Sequence, residues 1–174
     1  MTTPDILIRP YRLEDVKPLC DAVRTSMAEL APWMPWCHPG YGQQDARAWI
    51  ERQIGAFQRA FELQFAIAAP DGRLLGGCGL NAIDASNRLA NLGYWVRTDS
   101  VRRGVATTAA RNLVQWAHRH TELDRLEIVA STANLGSQRV AEKVGAVREG
   151  VLRRRLVLRG TTHDAVIYSV TRGG

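Results

Sequence analysis

One stretch of the sequence constrains the fold more than any other: a strand pattern that passes through a glycine turn into a helix pattern. Residues 89–96 read as a strand, and Gly104 precedes a helix whose inner face is small and apolar, with Ala106, Ala109, Ala110, Leu113, Val114 and Ala117. A turn of this kind directs unpaired backbone N–H groups and the positive end of the helix dipole at one point. The stretch therefore predicts an anion site, because glycine lets the backbone approach a phosphate closely.

Helix and strand patterns alternate along the rest of the chain. Helices are predicted over residues 14–27, from an N-cap at Asp45 to about Phe61, and over residues 137–144. Six further strands are predicted, over residues 6–9, 65–69, 74–80, 126–130, 151–158 and 165–170. The glycines in the 74–80 segment indicate a bulge or a close backbone approach. Strands near both ends with helices between them indicate a mixed α/β or α+β sheet.

The size and composition of the chain limit the class of protein. Its 174 residues, 45% of them hydrophobic, predict a single domain over residues 1–174 that needs no disulfides. The three cysteines are widely spaced, which is typical of reduced thiols. The sequence contains neither a membrane-span pattern nor a signal-peptide pattern, so we expect a cytoplasmic protein with no membrane partner.

Basic residues are concentrated in the second half of the sequence. Residues 88–174 contain 15 Lys and Arg against 7 Asp and Glu. Such a surface suits a nucleic acid or a polyphosphate cofactor, and it is equally typical of solvent-exposed arginines. Charge alone leaves these alternatives open.

Two motifs in the basic half point to a family. Residues 101–108 match neither the P-loop nor the dinucleotide-binding pattern. They resemble motif A of the GNAT acetyltransferases, Gln/Arg-x-x-Gly-x-Gly/Ala, with Val101 in place of the first polar residue. Residues 134–146 resemble the motif B segment of the same family, with Ala146 in place of phenylalanine. Further similarity to the RimJ/RimL branch, the ribosomal-protein N-terminal acetyltransferases, lies in residues 32–36, 93–95, 148–153, 164 and 168–169.

This resemblance implies a fold and a cofactor. The fold is a strongly twisted mixed β-sheet flanked by helices, in which two central parallel strands, residues 89–96 and 126–130, splay apart. The cofactor is acetyl-CoA, with its pantetheine arm in the gap between these strands and its pyrophosphate at the glycine turn. The expected contacts are the backbone of Tyr94, Trp95 and Val96, the turn and helix start at Arg102, Arg103, Gly104, Val105, Ala106 and Thr107, and the side chains of Asn134 and Ser137.

The resemblance also assigns chemical roles. Acetyl transfer to an amine needs a neutral nitrogen, a polarised carbonyl and a proton for the departing thiolate. Backbone N–H groups near Val96 would polarise the carbonyl, Asn134 would orient the cofactor, and Ser137 would donate the proton. Either of the last two residues can also serve as the N-cap of the short helix, and one residue can do both.

No general base is evident in the sequence. RimJ/RimL-like sequences commonly place a glutamate where this chain has Asn91, which cannot accept a proton. An α-amine is roughly a fifth neutral near pH 7.3, whereas a lysine side chain is only about one part in a thousand neutral. The missing base therefore favours a protein N-terminal α-amine as acceptor, or a water relay to Glu149, His38 or His163.

The loop of residues 31–42 carries three large rings among prolines and glycines. In the resembling family this region borders the acceptor, so the candidate substrate-binding residues are Trp33, Trp36, Tyr41 and Asn91. The same rings could instead close one end of the core or form a homodimer contact.

Three functions stay open at this point. The leading prediction is an acetyl-CoA-dependent N-acetyltransferase that acts on a protein N-terminal α-amine by direct attack on the thioester. The alternatives are acetylation of a small amine, such as a polyamine, an amino acid or an antibiotic, and a degenerate GNAT domain that binds acyl-CoA or a nucleic acid without catalysis. A nucleic-acid partner is disfavoured because an acidic cofactor explains the basic half. No metal is predicted, since His118 and His120 point different ways near one helix end.

Overall fold

The computed structural model describes residues 4–173; the predicted domain limits at residues 1 and 174 lie outside this part of the chain. Within it, seven strands and five helices follow one another as β1 Leu7–Pro10, α1 Val16–Thr25, α2 Met27–Leu30, α3 Gln43–Gln58, β2 Leu63–Ala68, β3 Leu74–Asp84, β4 Leu89–Val96, α4 Val105–His120, β5 Arg125–Ser131, α5 Leu135–Val144, β6 Val147–Leu158 and β7 Thr161–Thr171. Short 3₁₀ turns lie at Leu13–Asp15 and Thr98–Ser100.

The seven strands form one sheet in the order β1-β2-β3-β4-β5-β7-β6. Its paired neighbours are antiparallel except for β4 and β5, which run parallel. Parallel neighbours need a crossover connection, and α4 supplies it. The glycine turn before α4 therefore lies at the carboxyl end of β4, near the middle of the sheet.

Two hydrophobic cores lie on opposite faces of the sheet. On one face α4 and α5 pack on alternate residues of the central strands, including Leu80, Leu92 and Leu126. On the other face α1 and α3 pack on the intervening residues, such as Ala66 of β2. The second core reaches only the β1–β4 half of the sheet, which leaves room on this face beside β4.

Two helix predictions are corrected by the structure. The helix predicted over residues 14–27 spans Val16–Thr25, because residues 13–15 form a 3₁₀ turn and the backbone leaves the helical conformation at Ser26, with φ −108° and ψ 14°. The buried Ser26 hydroxyl accepts the N–H of Thr98 at 2.9 Å. Asp45 is not the N-cap of α3. It lies in the first turn, and its carboxylate accepts the N–H of Gly42 at 2.8 Å. Phe61 lies beyond the end of α3 and is 72% exposed.

The glycines of β3 allow close contact with β4. Gly76 has φ +157°, and a Cβ there would collide with the backbone oxygen of Trp95. A Cβ at Gly77 would meet the Tyr11 hydroxyl and the Trp95 indole. The predicted close approach is confirmed, and it seats the Trp95 ring against the sheet.

Over residues 4–173, no helix is long and apolar enough to cross a membrane. The same residues contain no group of His, Cys, Asp and Glu side chains that could hold a metal ion. Cys20, Cys37 and Cys78 are buried free thiols.

Candidate active site

The central parallel strands separate after a short pairing. Their register consists of three pairs, Leu89 with Arg125, Ala90 with Leu126 and Asn91 with Glu127. Beyond Asn91, β4 continues to Val96 with pairing only on its β3 side. A gap therefore opens between β4 and β5 and leads toward the turn before α4.

The backbone of β4 presents hydrogen-bonding groups to this gap. The N–H of Arg97 donates to the carbonyl of Leu75 at 2.8 Å on the β3 side. The direction of the backbone N–H and C=O groups alternates along an antiparallel strand. Those of Trp95 therefore also point to β3, while those of Tyr94 and Val96 point to the gap. The Trp95 backbone groups thus point away from the gap. The expected backbone contact from Trp95 is therefore wrong, and this residue offers only its side chain.

The turn before α4 has the geometry of an anion site. Arg102 and Gly104 both have left-handed backbone, with φ +60° and +80°, and α4 begins at Val105. Among residues 4–173, no group accepts a hydrogen bond from the first three N–H groups of α4, those of Val105, Ala106 and Thr107. Arg102 and the neighbouring Arg103 are exposed beside these amides.

The start of α5 is tied to β4 across the gap. The Asn134 side chain accepts the N–H of Ser137 at 3.0 Å, so Asn134 is the N-cap that the sequence left undecided. The Tyr94 hydroxyl donates to the Ser137 carbonyl at 2.8 Å and lies 3.1 Å from the Ser137 Oγ. Burial raises the pKa of Tyr94 to about 12. The Tyr94 phenol therefore stays protonated at neutral pH. Because Asn134 caps α5, the Ser137 hydroxyl is not used in capping.

A pocket of about 680 Å³ lies on the sheet face opposite α4. Aromatic side chains form much of its wall, namely Trp36, Tyr41, Trp49 and Trp95. The Trp36 ring lies 6.0 Å from the rings of both Tyr41 and Trp95. Gly93 forms part of the floor, and a Cβ there would have no atom within 4 Å. The pocket thus reaches the backbone of β4 at the edge of the gap.

The structure brings only two of the four predicted substrate-binding residues to this pocket. Trp36 and Tyr41 line it, whereas Trp33 and Asn91 do not. The Asn91 side chain donates instead to the Asn81 side chain at 3.0 Å, and Asn81 lines the pocket.

Sequence reasoning missed the pocket roles of Trp49, Trp95 and Asn81. Trp49 lies within α3, and a helix pattern does not distinguish a ring that lines a cavity from one that fills a core. Trp95 was expected to act through its backbone. Pairing of Asn81 with Asn91 depends on a strand register that no local signal reports.

Glu149 is unsuited to accept a proton. Arg125 binds its two carboxylate oxygens at 2.7 and 2.5 Å, and the Ser169 hydroxyl donates to it at 2.7 Å. The hydrogen bonds from Arg125 and Ser169 lower the pKa of Glu149 to about 2. The relay to Glu149 considered above is therefore wrong.

The two candidate histidines lie apart. His38 lines the pocket, with its ring 6.0 Å from that of Tyr41. His163 is on β7, where its Nδ1 lies 3.5 Å from the Ser131 Oγ, and it does not line the pocket. Of the two, only His38 could meet an acceptor there.

These features define a class of protein. The gap suits an extended donor that pairs with strand backbone, and the α4 turn suits a phosphate at one end of that donor. The pocket on the other side of β4 suits an acceptor. Such an arrangement suits an acyltransferase whose donor is a coenzyme A thioester, because the thioester carries amides that can pair with a strand and a pyrophosphate that a helix start can bind.

Comparison with known proteins identifies the family. Residues 5–147 match the family model for the acetyltransferase (GNAT) domain. The chain belongs to the GNAT acetyltransferase family. It is 30% identical over 170 residues to the "Putative ribosomal N-acetyltransferase YdaF" of Bacillus subtilis, covering 96% of this chain and 91% of that protein.

Two further similarities cover most of both chains. The ribosomal-protein-serine acetyltransferase of Escherichia coli is 26% identical over 154 residues, 88% of this chain and 86% of that protein. The structure of the ribosomal L7/L12 alpha-N-protein acetyltransferase RimL in complex with coenzyme A superposes with a TM-score of 0.87 at 22% identity, covering 98% and 96% of the two chains. The latter similarity concerns the fold alone.

Several predictions from sequence are thereby confirmed. The protein is an N-acetyltransferase with the mixed, splayed GNAT sheet, its branch resembles RimJ/RimL, and its acetyl donor is acetyl-CoA.

Proposed function

We propose that this acetyltransferase modifies the N-terminal α-amine of a protein, and that its acceptor is a ribosomal protein. The names of its relatives support this acceptor, since one is a ribosomal-protein-serine acetyltransferase. An acceptor on the ribosome also supports a cytoplasmic location. The single sheet that joins all seven strands supports one catalytic domain over residues 1–174.

The observation that carries the proposal is the open floor of the aromatic pocket at Gly93, beside the gap. A chain end that enters over Gly93 brings its terminal nitrogen to the edge of β4, where the thioester would be held. The rings of Trp36, Tyr41 and Trp49 then contact the first side chains of the acceptor.

The donor is held by backbone groups more than by side chains in this proposal. Tyr94 and Val96 pair with the pantetheine amides, and the N–H groups of Val105, Ala106 and Thr107 bind the pyrophosphate. Arg102 and Arg103 add positive charge beside it. Asn134 positions the first turn of α5 through its cap.

Ser137 supplies the proton for the leaving sulfur. Because the single Tyr94 hydroxyl proton goes to the Ser137 carbonyl, the Ser137 hydroxyl is the donor in its 3.1 Å contact with the Tyr94 oxygen. In this proposal the Ser137 hydroxyl rotates from the Tyr94 oxygen to the leaving sulfur. Tyr94 thus acts as a positioning residue that holds Ser137 at the edge of the gap.

The charges of the pocket argue against a polyamine acceptor. Asp45 and Glu62 line it together with Arg52, and Asp45 already accepts a backbone N–H. Such a mixed lining lacks the excess of negative charge that a polycation requires.

A thiol-release assay with acetyl-CoA tests the acceptor. Peptides with the N-terminal sequences of ribosomal proteins should be turned over, and the same peptides with blocked α-amines should not. Polyamines, free amino acids and aminoglycosides serve as competing acceptors. Faster turnover of one of these, or tight acetyl-CoA binding with no turnover of any amine, would overturn the proposal.

A pocket variant tests the site of entry. Gly93→Val adds a side chain to open space on the pocket floor, so it should raise the peptide KM at least tenfold and leave the acetyl-CoA Kd within about twofold. The matched change Gly150→Val, on β6 and also into open space, should alter neither.

A further inference from the structure

A row of three residues crosses the floor of the aromatic pocket. Gln64 of β2 pairs with Gly79 of β3, and Gly79 pairs with Gly93 of β4. Paired residues of neighbouring strands point to the same face of a sheet. Gln64 and Gly93 both line the pocket, and the neighbours of Gln64 along β2, Leu63 and Phe65, are buried in the core on the other face. The Gln64 side chain is therefore part of the pocket floor.

The carboxamide of Gln64 lies directly over Gly79. A Cβ added to Gly79 would collide with the Oε1, Cδ and Nε2 atoms of Gln64. The missing side chain of Gly79 thus provides the space that the carboxamide occupies. Gly93, the next residue of the row, is uncovered, since a Cβ there would have no atom within 4 Å. The row presents a side-chain amide beside the position at which the acceptor enters.

This carboxamide is available to a ligand. Within residues 4–173, neither the Oε1 nor the Nε2 of Gln64 has a hydrogen-bond partner, and neither atom is fully buried. The amide is neutral and carries both a donor and an acceptor. It therefore suits a neutral polar group of the acceptor, such as a carbonyl.

Two other polar groups of the floor lie further from Gly93. Asn81 is two residues from the row of Gln64 along β3, and its Oδ1 already accepts a hydrogen bond. The Trp95 Nε1 lies over Gly77, two residues from the row in the other direction. Two residues along a strand correspond to about 7 Å. Of these groups, the Gln64 carboxamide is the nearest to an acceptor at Gly93.

The spacing within the row matches the first residue of a peptide. Side-chain positions of paired residues are about 5 Å apart, so the carboxamide over Gly79 lies about 5 Å from an amine nitrogen over Gly93. The amine nitrogen and the carbonyl oxygen of one amino acid are about 3 Å apart. The carbonyl oxygen can therefore reach hydrogen-bond distance of the Gln64 Nε2 while the nitrogen stays over Gly93.

We propose that Gln64 is a specificity-determining residue whose Nε2 donates to the carbonyl oxygen of the acceptor's first residue. This inference rests on the proposed function, because it concerns the acceptor of the same pocket, and it defines the chemical class that the pocket selects. That class is the α-aminoacyl compounds, in which a carbonyl group is attached to the carbon that bears the amine. Alkylamines and polyamines have no such carbonyl, and they leave the Gln64 donor without a partner.

A pair of acceptors tests this hydrogen bond. One is the peptide that is turned over best, and the other is the same peptide with a trans alkene in place of its first peptide bond. Gln64→Leu should lower kcat/KM for the peptide about tenfold, mainly through KM, because the hydrogen bond is present before and during the reaction. The same variant should change kcat/KM for the alkene less than about twofold. Each ratio of variant to wild type uses one acceptor, so the different amine pKa of the alkene cancels.

Two further variants control for structural effects. Gln58→Leu changes an exposed glutamine at the end of α3, outside the pocket, and should leave both acceptors unaffected. Gly79→Ala displaces the Gln64 carboxamide without removing it, so it should also lower kcat/KM for the peptide more than for the alkene. The acetyl-CoA Kd should stay within about twofold in every variant, and thermal unfolding checks that each one is folded.

The outcomes separate this inference from the function on which it rests. Equal losses for peptide and alkene in Gln64→Leu, or no loss for the peptide, would overturn the role of Gln64. If Gln64→Leu does not fold, the same comparison in Gly79→Ala decides the matter. Failure of the wild-type protein to acetylate any peptide would instead contradict the proposed function.

Discussion

At the scale of single residues, the site depends on a few groups whose neighbours decide what they do. Ser137 lies in the first turn of α5, where a serine could serve either the helix or the reaction. Asn134 takes the cap and Tyr94 holds the Ser137 carbonyl, so the Ser137 hydroxyl is not needed by the helix and contacts only the Tyr94 oxygen among residues 4–173. The same logic applies to Asn91, whose amide is turned toward Asn81.

Replacing Ser137 with alanine separates chemistry from stability. We expect kcat to fall at least tenfold with little change in KM for acetyl-CoA, because a hydrogen bond to the sulfur strengthens only as the C–S bond breaks. The cap from Asn134 to the Ser137 N–H is retained, so the melting temperature should change little. Steady-state kinetics and thermal unfolding on the same sample check this. Normal kcat with a lowered melting temperature would remove Ser137 from the reaction.

Gly104 is the residue on which cofactor binding should depend most. Its φ of +80° strains any other residue, and a Cβ there would lie 3.4 Å from the Pro4 ring, so a valine should distort the turn that directs the first amides of α4. Gly104→Val should weaken acetyl-CoA binding at least tenfold in calorimetry. Gly160→Val, with φ +77° and open space around it in the β6–β7 turn, carries the same strain away from the site and should leave binding unchanged. Equal affinities in the two variants would contradict the assignment of the turn.

At the scale of elements, β5, β6 and β7 are joined by a polar network as well as by pairing. Arg125 of β5 binds Glu127 on its own strand and Glu149 of β6, and Ser169 of β7 donates to Glu149. The network joins β5 to β6 and β7 at the closed end of the gap, where Arg125 and Glu127 are still paired with β4.

This network makes part of the stability pH-dependent. The folded-state pKa of Glu149 is about 2, below its ordinary value of 4.5, so its contribution is present above about pH 5 and is lost as the pH falls toward 2. The melting temperature of the wild type should exceed that of Glu149→Gln at pH 7, and the difference should vanish near pH 2. Glu51→Gln, on the surface of α3 with one 3.7 Å contact to Arg47, should show a smaller difference at pH 7. A Glu149→Gln difference that persists at pH 2 would show that packing, not charge, holds this edge.

At the scale of the whole molecule, the sheet separates the proposed donor site from the proposed acceptor pocket. The donor turn and α5 belong to the basic half of the sequence, whereas α1, α3 and the loop at residues 31–42 build the pocket on the opposite face. In the proposed reaction the two meet where β4 and β5 separate, so we expect transfer at the edge of β4 near Gly93 and Tyr94.

The pH dependence of the whole reaction should report the acceptor. For an α-amine, kcat/KM should rise with an apparent pKa of about 7.5–8.5, because only the neutral amine attacks. The profile should follow the pKa of the peptide when its first residue is changed. An apparent pKa near 6 that does not change with the peptide, and that disappears when His38 is replaced, would show that a histidine in the pocket controls the reaction instead.

The sequence by itself determined the local parts of this protein. The β4 boundaries, the glycine turn, the start of α4 and the order of the two motifs were predicted correctly, because strand alternation, helix periodicity and a left-handed glycine are encoded in adjacent residues. From these parts the resemblance predicted the family, the splayed sheet and the donor.

Only the tertiary structure decided which distant side chains meet. The pairing of Asn91 with both Asn81 and Glu127, the Tyr94–Ser137 contact across the gap and the capture of Glu149 by Arg125 join residues 10 to 43 positions apart. Such contacts follow from strand register and from packing on two faces of one sheet, and a shift of one residue would turn each side chain to the other face. Local periodicity does not specify that register, so the pocket and these side-chain contacts had to come from the fold.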